Sequence, residues 1–161
     1  MNYAKGLIIW SLPGIGKTTL IRELAECLST GADPMRVAVI DTRHEIGAGL
    51  KNGMLDILDG YPRAKGIEIA KRTLSPQIII CDEIATDDDA SAILDAAGSG
   101  IPIVASAHSG SRDELFSQDH LHRIIDSGYM GAYIGLLGQT LGGYKYDVFR
   151  CHNKTELCFE R

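Results

Sequence analysis

Four short apolar runs punctuate the first two thirds of the chain: Leu7–Trp10, Val37–Ile40, Ile78–Cys81 and Ile101–Ala105. They are rich in β-branched residues and do not alternate apolar with polar. Strands covered on both faces, as in a parallel sheet, have this pattern. Pro102 stands at the start of its run, where a strand tolerates a residue without an N–H. Between the runs the period lengthens to that of a helix. Lys17–Leu28 places Leu20, Ile21, Leu24, Ala25 and Leu28 on one face, with Gly31 beyond as a stop. Lys65–Leu74 predicts a second helix, closed by Ser75-Pro76. Asp87, Asp88 and Asp89 open a third, which carries Ala90, Ile93, Leu94 and Ala97 and stops at Gly98. Ser111 and Glu114 have the spacing of a capping box for another short helix. Strands alternating with helices predict an α/β protein with a doubly wound, mostly parallel sheet and helices on both faces. After Gly128 the pattern changes. Tyr133–Leu137, Tyr144–Arg150 and Leu157–Glu160 predict strands joined by Gly-rich turns, expected to pair antiparallel at the C-terminal edge.

The polar residues that end each run carry the candidate chemistry. The first run leads into Ser11-Leu12-Pro13-Gly14-Ile15-Gly16-Lys17-Thr18, a loop that opens a helix. Such a loop points backbone N–H groups at phosphates, and the helix adds the positive end of its dipole. Pro13, Gly14, Ile15, Gly16, Lys17, Thr18 and Thr19 are therefore expected to hold a nucleoside triphosphate. Lys17 would reach the β/γ phosphates and Thr18 would ligate Mg²⁺. The usual motif has Gly where this chain has Ser11, which makes it a variant phosphate loop.

In a parallel sheet the C-terminal strand ends lie on one edge, where such folds bind ligands. Asp41, Thr42, Arg43, His44 and Glu45 follow the second run, Asp82 and Glu83 the third, Ser106 and His108 the fourth. Asp82 is expected to hold Mg²⁺ through water, and Glu83 to polarise the attacking water. Asp41 and Glu45 are candidates for positioning metal or water. Arg43 has two readings, phosphate-charge stabiliser or partner of a neighbouring acid. Ser106 and His108 are candidates for sensing the γ-phosphate, and His120 and His122 are expected at the surface.

Composition narrows the class. At 161 residues the chain is long enough for one domain with a real core, and its net charge of −5 argues against a nucleic-acid partner. The four cysteines show no C-x-x-C spacing, and Cys151-His152 has no second ligand pair for a metal. No apolar run approaches the roughly 18 residues of a membrane span. A reducing, cytoplasmic location is the expectation, with any membrane contact made through partners.

Asp41-x-Arg43-x-Glu45, Leu58-Asp59-Gly60-Tyr61-Pro62-Arg63-Ala64-Lys65-Gly66, Arg72-x-x-Ser75-Pro76, Asp82-Glu83 and Ser106-Ala107-His108 follow one another in this order. Together, from about Leu7 to about His108, they resemble the stage III sporulation protein AA family, similar to the hexameric ATPases of type II and type IV secretion and pilus systems. The resemblance implies a P-loop NTPase of RecA-like architecture, with ATP and Mg²⁺ as ligands. It also implies a homo-oligomer (a hexamer) and partners in a membrane-bound sporulation or secretion complex. Asp41 to Glu45 match the family's acidic box, and Ser106 to His108 match its histidine box, placing Glu45 and His108 beside Lys17 and Glu83 as catalytic candidates. Arg43, Arg63 and Arg72 are the candidate phosphate-charge stabilisers, the last two as candidates to act across the interface in an assembly where nucleotide sits between subunits. The family carries an N-terminal domain, and here the phosphate loop begins almost at Met1. The expectation is thus a single ATPase domain over residues 1–161 without that domain, and with an ending after Gly128 unlike the family's. Three functions fit these residues: a Mg²⁺-dependent motor or assembly ATPase, a nucleotide-binding scaffold with little hydrolysis, and a small P-loop phosphotransferase. The absence of an Arg-rich lid segment disfavours the phosphotransferase.

Overall fold

In a computed structural model, which describes residues 6–140, 143–151 and 157–159, one eight-stranded sheet organises the chain. Its strands are β1 (Gly6–Ser11), β2 (Val37–Asp41), β3 (Leu55–Asp59), β4 (Ile78–Glu83), β5 (Ile103–His108), β6 (Met130–Thr140), β7 (Gly143–Cys151) and β8 (Leu157–Phe159). The helices are α1 (Lys17–Thr30), α2 (Arg63–Ile69), α3 (Asp87–Gly98), α4 (Arg112–Ser117) and α5 (Asp119–Asp126). The strand order is β3-β2-β4-β5-β1-β6-β7-β8, parallel from β3 through β6 and antiparallel across the last two pairs.

The apolar runs are continuous because each strand feeds two cores. Ile8, Trp10, Ala38, Ile40, Ile79, Cys81, Ile103 and Ala105 pack on one face against residues of α2, α3 and α5. The alternate residues Ile9, Val37, Val39, Ile78, Ile80 and Val104 pack on the other with Ile21 and Ala25 of α1. Successive side chains of a strand point to opposite faces, so two covered faces leave no position for a polar residue. Complete burial of each such side chain stabilises by about 1.5–3 kcal/mol.

Several elements differ from expectation. Leu55–Asp59 forms β3 at the sheet edge; its half-exposed Leu-Asp-Ile-Leu-Asp lacks the apolar continuity of the inner strands. β6 also extends the parallel part of the sheet, lying parallel to β1, because α4 and α5 return the chain to the opposite end of the sheet before it re-enters. As expected, the three C-terminal strands pair antiparallel with one another, β6 with β7 and β7 with β8; Glu160 lies outside the described residues. The helix expected over 65–74 starts at Arg63, and its end widens into a π-helical turn, Ala70–Leu74, stopped by Ser75 at φ 48°. His122 is half-buried, its Nε2 2.6 Å from the Phe116 carbonyl oxygen. No helix among the described residues is long and apolar enough to cross a membrane.

Candidate functional site

β1 stops at Ser11, and the loop that follows turns back into α1 through Gly14 at φ 77° and Gly16 at φ 107°. Left-handed backbone of this kind needs glycine. Ser11 has no such angle; it is fully buried and donates its hydroxyl to the Leu12 carbonyl at 2.8 Å, so a side chain is admitted where the usual motif has glycine. Gly16 caps α1 without any side-chain acceptor, and the first turn holds no acid. The N–H groups and positive dipole end of α1 are thus left for an external anion.

A cleft of about 370 Å³ opens there, walled by Pro13, Gly14, Gly16, Lys17 and Thr18 on one side and by Arg43, Glu45, Asp82, Glu83, Ser106 and His108 on the other. Lys17 is almost wholly buried and donates to the Ala107 carbonyl at 3.0 Å. Burial pulls its pKa down to about 8, against the opposing fields of Glu83 and Glu45. Thr18 Oγ1 lies 3.5 Å from Glu45 Oε2. Glu83 comes from a place where the β4–β5 register slips between Ile80 and Glu83, which sets it opposite Ser106. Its Oε2 sits 2.8 Å from His108 Nε2 and 3.4 Å from Arg43 Nη2. Both readings of Arg43 meet here, since it pairs with an acid while lining the cleft.

Two arginines do not line this cleft. Arg63 is buried, with Nη2 2.6 Å from Asp82 Oδ1 and Nη1 2.6 Å from Asp89 Oδ2. Arg72 lies on the surface, 3.1 Å from Glu68 one turn back. As a free stabiliser of phosphate charge, Arg63 is corrected: its guanidinium is consumed inside the fold. Asp82 is held by Arg63 and by the Thr42 N–H at 3.0 Å; burial pushes its carboxyl up while these partners pull it down. Asp89 serves a second task, accepting from Thr86 and Ala85 N–H to start α3.

Some of the site's framework is invisible at the level of motif. Asp41 does not face the cleft. Its buried carboxylate accepts the N–H groups of Glu45, Ile46 and Gly47 at 3.0, 2.9 and 2.8 Å, winding the loop that presents Glu45. Arg22 of α1 donates to the Glu45 and Ile46 carbonyls and ties that loop to the phosphate-loop helix. His44, at φ 59°, closes the loop from outside with Nδ1 2.6 Å from Asp59 Oδ1, and this contact raises its pKa. Only the Asp-x-Arg-x-Glu spacing hints at this loop; the partners come from α1 and β3.

The sequence profile of the family described as sporulation stage III, protein AA, matches residues 2–156, well past the His108 limit of the motif resemblance and through β6 and β7. Stage III sporulation protein AA of Bacillus subtilis (strain 168) is 35% identical over 135 residues, 77% of this chain and 44% of that protein. The chain therefore spans less than half the length of this relative. The fold is that of secretion ATPases: the Legionella pneumophila ATPase DotB superposes with a TM-score of 0.72 at 20% identity, over 94% of this chain and 46% of its own. The VirB11 ATPase of the Brucella suis type IV secretion system, solved in complex with sulphate, gives 0.67 at 15% identity, over 91% and 48%. By the match that spans nearly all of its residues, this chain belongs to the stage III sporulation protein AA family.

Proposed function

We propose that the chain binds ATP with Mg²⁺, hydrolyses it to ADP and phosphate, and works as an assembly of copies on a membrane-bound sporulation or secretion-like complex. One observation carries this reading: Lys17, Glu83 and Glu45 wall a single cleft at the uncapped N-terminus of α1. The names of its fold neighbours, both ATPases, and the sulphate held by one of them support it.

The residues present fit the ligands. Backbone N–H groups of the loop receive the phosphates, and Lys17 exchanges the neutral Ala107 carbonyl for an anionic oxygen. Thr18 and Asp82 would hold Mg²⁺, Asp82 through water because Arg63 and Thr42 already engage both of its oxygens. Bound there, the ion supplies positive charge against that developing on the phosphates. Glu83 orients a water and takes its proton as the water oxygen attacks the γ-phosphorus and the bond to the β–γ bridging oxygen breaks. His108 and Arg43 flank Glu83 and hold its carboxylate in place.

Turnover in Mg²⁺-ATP measured beside Glu83→Gln tests the reading. The variant is expected to bind ATP and to lose about 10²-fold or more in rate, the scale of a general base; equal rates would show that Glu83 is not the base. The contacts that already engage Glu83, from Arg43 and His108, favour one other function, a nucleotide-binding scaffold, whose signature is tight ATP binding with turnover at background.

A further inference from the structure

A second groove opens on the far side of Gly16. It encloses about 90 Å³ and is lined by Gly16, Thr19, Glu23, Leu136, Tyr144 and Tyr146. Gly16 lines both cavities, so the two flank the same point of the loop. The strand order sets its direction. Glu83 and His108 lie on β4 and β5, to one side of β1, while Leu136, Tyr144 and Tyr146 lie on β6 and β7, to the other. A polyphosphate whose terminal group meets Glu83 and which runs back over Gly16 toward Thr19 would bring its unreacted end to this groove.

The chemistry of the groove is unsuited to more phosphate. Its only charged side chain among these residues is Glu23, an acid that repels anions and accepts from hydroxyls. Its floor is aromatic. Tyr144 and Tyr146, two residues apart on β7 and so on one face, have ring centroids 6.3 Å apart and remain 39% and 49% exposed. Tyr144 is seated against the phosphate loop: a Cβ built on Gly16 would meet its hydroxyl at 2.9 Å.

We infer that Tyr144 and Tyr146 form an aromatic shelf for the base of the bound nucleotide, one ring stacked on it and the other, tilted 50° to the first, against its edge, with Glu23 facing the ribose hydroxyls. This rests on the proposed nucleotide site and adds the residues that distinguish a nucleotide from a bare polyphosphate. Base–aromatic stacking tolerates any base, because every base has a π-face.

Calorimetric titration with ADP and with inorganic tripolyphosphate separates the two claims. Tyr146→Ala, and the Tyr144→Ala/Tyr146→Ala pair, are expected to weaken ADP about tenfold or more and leave tripolyphosphate unchanged, with Tyr146→Phe retaining ADP affinity. Unaltered ADP affinity in these variants would overturn the inference and leave the stripe as a surface for a second copy of the chain. Equal loss of both ligands would also overturn it, since the tyrosines would then act by supporting the loop. A wild-type protein that binds neither ligand would instead remove the proposed nucleotide site, and the shelf with it.

Discussion

At the scale of single residues, two buried cations do opposite work. Lys17 is pulled down to a pKa of about 8 chiefly by burial, and its partner in this state is only a carbonyl. Below that pH it carries the charge a triphosphate needs; as pH rises through it, the charge is lost. ATP affinity is thus expected to fall above about pH 8, with bound phosphates moving the fall upward, and Lys17→Ala should remove both the affinity and this pH dependence. Titrations of both proteins across that range check it. Arg63 is the contrary case, a cation whose charge is spent inside the fold on Asp82 and Asp89. Arg63→Leu strands two buried carboxylates and is expected to cost about 3–5 kcal/mol, read by denaturant unfolding. A loss under 1 kcal/mol would mean that the two acids find water instead.

At the scale of elements, the parallel strands and the phosphate loop were legible because burial on both faces and a glycine-rich turn each leave a local signature. The meeting of Lys17, Glu45, Glu83 and His108 followed from the same logic, since parallel strands deliver their C-terminal ends to one edge. Other features depend on partners distant in sequence. β3 is a strand by virtue of pairing with β2, and its own alternation with Asp56 and Asp59 does not mark it as one. β6 reads as part of a Gly-rich hairpin, yet its direction is set by α4 and α5 before it. The role of Asp41 needed the loop's backbone, and that of Arg63 needed α3. The β1–β6 pair also allows a sharp test. Gly135 faces Trp10 so closely that a Cβ there would fall 2.2 Å from the indole. Gly135→Ala must displace the chain's single tryptophan, at an expected cost of about 1–3 kcal/mol. A shifted tryptophan emission with a lowered unfolding midpoint is the outcome; unchanged spectra would mean that β6 moves away instead.

At the scale of the whole molecule, the question is where the charge opposite the γ-phosphate comes from. Lys17 and Arg43 are the cations that line the cleft among the described residues, and Arg43 is already drawn to Glu83. With Arg63 consumed internally, Arg72 is the remaining arginine of the three, exposed on the surface and paired to Glu68 of its own helix. On the proposed motor reading it serves the site of a neighbouring copy. Turnover should then rise faster than protein concentration, and Arg72→Ala should bind ATP normally while hydrolysing poorly. The decisive arrangement mixes two inactive proteins. Glu83→Gln keeps Arg72 and lacks the base; Arg72→Ala keeps the base and lacks the arginine. In a randomly mixed ring about a quarter of the interfaces join an intact Glu83 to an intact Arg72, because each interface takes one group from each side. Recovery of activity on mixing is the expected result. Two variants that stay inactive together would place the missing charge elsewhere, and a rate strictly proportional to concentration in the wild type would mean that each copy completes its own site.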